Sequence, residues 1–114
     1  MKIFEFENIK FIVGQNAEEN WSILQEAQLI NNDYIWFHLN SFPSSYVIMY
    51  STLTDLHDSS LNNCLNYGAN LCKTYSKYKN LKDLKICYTS IKKLTKTNKI
   101  GEVNIKGKTK IIKL

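Results

Sequence analysis

The 114 residues suit one domain with its own core, and an apolar share of 44% excludes a generally disordered chain. No apolar run approaches the roughly 20 residues of a membrane span, and Glu5 and Glu7 interrupt the start where a secretory segment would be apolar. The expectation is therefore a cytoplasmic protein without membrane contact. The net charge of +5 is unevenly laid out: residues 1–72 carry only Lys2 and Lys10 against eight acids, whereas residues 73–114 carry thirteen lysines against Asp83 and Glu102, with no arginine. Biased base composition explains lysine in place of arginine, but not its confinement to one part of the chain. Such a division predicts that the second half faces a polyanion.

In chain order, Lys2–Phe6 and Ile9–Val13 read as a hairpin turning at Glu7-Asn8, and Gly14 permits a sharp change of direction. A helix follows with Asn16 as N-cap and Glu19 at the capping-box position. Ala17, Trp21, Leu24 and Ala27 are spaced to face the core. Asp33–Leu39 and Val47–Tyr50, rich in aromatic and β-branched residues, flank the loop Asn40–Ser45 and read as an antiparallel pair. If the pair is symmetric about Phe42, His38 lies opposite Tyr46, Trp36 opposite Ile48 and Tyr34 opposite Tyr50, which gathers ring side chains on one surface.

A polar loop over 51–59 leads to a second helix from about Leu61 to Lys79, with Leu65, Ala69, Cys72 and Ser76 in its apolar line. Its solvent strip is Asn63, Asn66, Asn70, Lys73 and Lys77. Strands are expected over 84–89, 102–106 and 109–114, with a basic connection over 90–99. The sum is a single α+β domain over residues 1–114: two helices and a mainly antiparallel sheet in the order β-β-α-β-β-α-β-β-β. Cys64 and Cys72 lie eight residues apart on one helix, about 12 Å along its axis and too far to bridge. With Cys87 they form neither a disulfide framework nor a zinc spacing, and read as buried fillers.

Several motifs resemble one family. Val13-Gly14-Gln15-Asn16 with Glu19-Asn20, Asp33-x-Ile35-Trp36-Phe37-His38, and Ser44-Ser45-x-Val47 resemble the NFACT RNA-binding domain. So do Ala69 with Tyr75-Ser76-Lys77-x-Lys79, Tyr88-Thr89 before Lys92-Lys93, and Ile100-Gly101-Glu102-Val103. The resemblance covers nearly the whole chain. It implies an RNA-binding module rather than an enzyme, similar to the standalone versions of the domain. Full-length relatives in that family bind tRNA on the large ribosomal subunit in ribosome-associated quality control, and coiled-coil-bearing eukaryotic relatives are linked to DNA. Two positions depart from the pattern: Gln15 stands where the family usually has Lys or Arg, and Tyr46 where it usually has His.

The residues themselves carry less specific chemistry. No Ser-His-Asp, Cys-His, paired-carboxylate or phosphate-loop pattern appears, so no catalytic residue, metal or cofactor is expected. Trp36 and Phe37 are core residues by default. His38 has no orienting acid on its own face, so structure or nucleic-acid contact outweighs the third reading, RNA processing with His38 as its base. Gly14-Gln15-Asn16 opens a helix whose N-terminal N–H groups suit a phosphate, although Glu18 and Glu19 oppose one. The candidate nucleic-acid-binding residues are Asn16, Trp36, His38 and Tyr46, with Lys73, Lys77, Lys92 and Lys93 for phosphates. Lysine without arginine points to backbone contacts with little sequence choice. The expected partner is RNA, tRNA or ribosomal RNA. DNA, a ribosomal surface and an acidic protein docked on the basic face are the alternatives.

Overall fold

The computed structural model describes residues 1–114. Strands β1 (Lys2–Phe6) and β2 (Ile9–Val13) pair from Lys2↔Val13 to Phe6↔Ile9. Glu7 and Asn8 both adopt positive φ, +50° and +67°, as a two-residue primed turn between right-twisted strands requires. Helix α1 (Ala17–Ile30) follows. The Asn16 side chain accepts the Glu19 N–H at 2.8 Å, while the Glu19 carboxylate reaches back to the N–H of Gln15, one residue before the cap. Next come β3 (Ile35–Leu39), β4 (Val47–Met49), α2 (Asp58–Thr74) and β5 (Lys85–Ser90). The chain then runs through a 3-10 turn (Ile91–Lys93), β6 (Leu94–Lys96), β7 (Val103–Ile105) and β8 (Lys110–Lys113).

Six strands form one antiparallel sheet in the order β1-β2-β4-β3-β5-β8. The central pair takes the register symmetric about Phe42, with Ile35↔Met49, Trp36↔Ile48 and Phe37↔Val47. β3 is apolar on both faces because both are covered. Odd-numbered Ile35, Phe37 and Leu39 join Phe11, Val13, Val47, Met49 and Ile86 against the Cys64, Leu65, Ala69 and Cys72 face of α2. Trp36 joins Ile12, Tyr46, Ile48 and Cys87 against Ile23, Leu24 and Ala27 of α1 on the other face. The Phe37 ring lies so close to Gly68 of α2 that a Cβ there would stand 2.5 Å from it. All three cysteines are buried, and burial pushes the Cys72 thiol up to about 12.

Four local expectations need correction. α2 starts three residues before Leu61 and stops at Thr74, well short of Lys79. Its end is set by Ser76, whose Oγ donates to the Lys73 carbonyl at 2.7 Å and accepts from the Tyr78 N–H, turning the chain aside. Lys77 is therefore off the helix and not on a common strip with Lys73. The basic connection after β5 is not a plain loop: Ile91 and Leu94 are buried, and β6 pairs with β7 in a separate hairpin laid over α1. Ala17 is exposed and Trp21 half-buried, because the first turns of α1 meet that hairpin rather than the sheet.

Candidate nucleic-acid interface

The alternation that buries Phe37 under α2 sends Trp36 and His38 to the opposite face, at the end of β3 next to the loop into β4. Their rings lie 7° from parallel with centroids 5.3 Å apart. Tyr46 stands edge-on to both, at 5.4 Å from Trp36 and 5.6 Å from His38. Trp36 and Tyr46 are each 2% exposed, whereas His38 is half-buried. These rings form the floor of an open cleft of about 670 Å³. Its walls are the start of α1 (Gln15, Asn16, Ala17, Asn20), the loop Pro43–Ser45, the turn Tyr75–Tyr78 after α2, and residues 99–103 with Ile105 of the β6–β7 hairpin. A smaller cleft of about 360 Å³ lies on the other flank of His38, towards Asn40–Pro43, Cys87 and Thr109.

Hydrogen bonds fix the floor. His38 Nδ1 lies 2.7 Å from the Leu39 carbonyl oxygen, which can only accept. The neutral ring therefore carries its proton on Nδ1 and keeps Nε2 as an acceptor. Burial holds the His38 pKa below its ordinary value, with the Leu39 bond opposing the shift, so the ring is neutral at pH 7. Tyr46 is tied at three points. Its N–H donates to Asn20 Oδ1 at 3.0 Å, its carbonyl accepts from Gly14, and its hydroxyl donates to the Gly101 carbonyl at 2.6 Å. Burial, with Glu102 nearby, pushes the phenol up to about 12. Tyr46 is thus a strut beneath the hairpin, and the expected open stacking surface formed with His38 is reduced to the His38 ring.

The tip of the β6–β7 hairpin is held down by α1 as well. Trp21 Nε1–H donates to the Glu102 carbonyl at 3.2 Å. Lys96 Nζ lies 5.1 Å over the Trp21 ring and donates to Gln25 Oε1 at 2.7 Å. Gly101 has φ +84°, and a Cβ built there would lie 2.6 Å from that of Ala17, so only glycine suits this closure.

Of the residues expected to bind nucleic acid, the cleft brings together Asn16, Trp36, His38, Tyr46 and Lys77. Lys73, Lys92 and Lys93 lie outside its lining. Lys73 Nζ donates to the Leu114 carbonyl at 3.1 Å. Lys92 pairs with Asp33 at 3.0 Å, at the far end of β3, about 17 Å from His38 at roughly 3.3 Å per residue. Lys93 is half-buried in the 3-10 turn.

Sequence reasoning counted Lys99 only within the general crowd of C-terminal lysines and gave no site role to Glu102 or Gly101, although Lys99-Ile100-Gly101-Glu102 carries a turn signal. It also missed a pair on the sheet. Lys85 of β5 and Lys113 of β8 are direct cross-strand partners, and alternation places both on the face that carries Cys87 and His38. The lysine-bearing surface therefore continues from the cleft onto the uncovered outer strands of that face.

The fold and site together define an α+β module in which a sheet, covered by one helix on each face, opens a cleft at the end of its central strands. The chain belongs to the NFACT protein RNA-binding domain family, whose model matches residues 2–112. A solved structure described as the C-terminal part of the fibronectin/fibrinogen-binding protein from Streptococcus suis has the same fold. It superposes with a TM-score of 0.80 at 23% identity, over 98% of this chain and 43% of that one. The present chain thus spans less than half the length of that relative. No curated protein sequence matches the chain.

Proposed function

We propose that this chain binds RNA, tRNA or ribosomal RNA, as a cytoplasmic, non-enzymatic module in translation or ribosome-associated quality control. The observation that carries this reading is the aromatic-floored cleft with Lys77 and Lys99 in its lining, in a chain of a family described as RNA-binding. A phosphate chain crossing the lip meets these two ammonium groups, and Lys85 and Lys113 extend the cationic path along the sheet. Each lysine is a point charge without the planar fork that reads base edges, so the contacts select a phosphate backbone rather than a sequence. The N–H groups at the start of α1 add anion-binding capacity beside Asn16.

The test is RNA binding against salt, in the unaltered chain and in K77Q/K99Q and K92Q/K93Q. Affinity should fall steeply between 50 and 200 mM salt, with a log–log slope of about one unit per phosphate neutralised. K77Q/K99Q should reduce that slope by about two, and K92Q/K93Q by less, because Lys92 already faces Asp33. Salt-independent binding would refute the reading. A second reading, a docking face for a protein, is favoured by Leu29 and Ile30, which stand 84% and 60% exposed at the end of α1. Partner capture that survives nuclease and is lost in L29S/I30S would support it.

A further inference from the structure

The floor of the cleft holds two hydrogen-bonding groups that the protein leaves open. Trp36 Nε1–H is buried without an acceptor, on a residue that is 2% exposed and lines both clefts. A buried donor is normally paired, and an orphan in a cleft wall is a place where a ligand atom can complete the structure. The His38 ring, stacked on Trp36 with centroids 5.3 Å apart, donates its Nδ1–H to the Leu39 carbonyl and keeps Nε2 as an acceptor. The floor thus offers one donor and one acceptor among three rings.

That chemistry disfavours a phosphate. No lysine lies on the floor, a neutral histidine nitrogen presents a lone pair to an oxyanion, and the Glu102 carboxylate belongs to the same cleft. It favours a flat, uncharged group with a donor and an acceptor side by side on one edge, which every nucleobase has on its Watson–Crick edge. Tyr75 and Tyr78 on the wall supply further ring surface, and the volume of about 670 Å³ falls within the usual range of small-ligand pockets.

We propose that the cleft over Trp36 and His38 receives a single nucleobase turned out of its strand, hydrogen-bonded by Trp36 Nε1–H and His38 Nε2, while Lys77 and Lys99 hold the flanking phosphates. This rests on the RNA-binding reading and adds a base-recognition subsite to it. The base, not the backbone, then supplies the part of the affinity that salt does not remove.

The experiment compares a short single-stranded RNA with an abasic oligomer of the same length and charge. The chain keeps Trp21, whose bond to the Glu102 carbonyl holds the cleft wall. The intact RNA should bind about ten-fold more tightly or better, the scale of one stacked base, and should change the chain's tryptophan fluorescence where the abasic strand does not. H38F, which keeps the ring but removes Nε2, should bring the intact RNA down to the abasic level without altering abasic binding; H38Q, which restores an acceptor, should recover part of the difference. K77Q/K99Q should weaken both oligomers alike. Equal binding of intact and abasic strands by the unaltered His38 chain overturns the base pocket and leaves RNA binding standing. Binding of neither overturns both.

Discussion

Beneath α2 the sheet packs fourteen buried residues into one apolar layer, closed mainly by fit: Phe37 fills the space that Gly68 leaves open. Over the other face the buried apolar cluster has only ten residues, and the β6–β7 hairpin is fastened by hydrogen bonds from Tyr46, Trp21 and Gln28 and by Lys96 to Gln25. The first arrangement gives stability through shape and area. The second gives up part of that burial, and the space it leaves is the cleft. One strand, β3, serves both: Phe37 anchors the fold, while its neighbours Trp36 and His38 furnish the floor of the cleft.

The contrast can be broken hardest at Phe37. Phe37→Ala should cost about 3–5 kcal/mol, a large part of the stability of a chain this size, in a urea or thermal melt. Gly101→Ala should cost about 1–3 kcal/mol, from its left-handed φ and the approach to Ala17. Unlike the Phe37 variant, it should weaken RNA binding at temperatures where the chain is still folded, because it lifts one wall of the cleft. A melt shift with unchanged binding would show that the hairpin is structural only.

The smallest effect is the pH dependence carried by His38. Burial holds its folded-state pKa below the unfolded value of about 6.5, so between the two the unfolded chain binds more protons. The contribution is complete above that value, falls away as pH drops towards the folded-state pKa, and is flat below it. H38F should remove this slope. Protonation of the folded chain also turns Nε2 from acceptor to donor, so the advantage of intact over abasic RNA should persist through that window and shrink only as pH falls through the lower folded-state pKa, while phosphate contacts persist.

Much of the architecture could be read from the residues. Asn8 marks the first turn and Asn16 the start of α1, and the two-sided apolar pattern of Ile35–Leu39 placed that strand centrally. Symmetry about Phe42 set the central register, because strand pairing and alternation are local rules. The site was legible as a face, not as a cleft. Alternation puts Tyr46 beside His38, but nothing local says that a hairpin lies above it. That hairpin was hidden because β6 is short and lysine-flanked, with Ile91 and Leu94 as its sparse apolar anchors. The separation of Lys73 from Lys77 turns on one serine side chain ending α2, which helical periodicity does not register.

At the outer boundary of the sheet, β8 offers a row of unpaired backbone groups around Ile111 and Ile112, a natural template for an extra strand from another molecule. Lys110 and Lys113 stand at the two ends of that row as sentinels. Their ammonium groups tolerate the approach of a polyanion but resist that of a second copy bearing the same charges. The edge thereby discourages fibrous self-association, and neutralising those two charges would remove the safeguard.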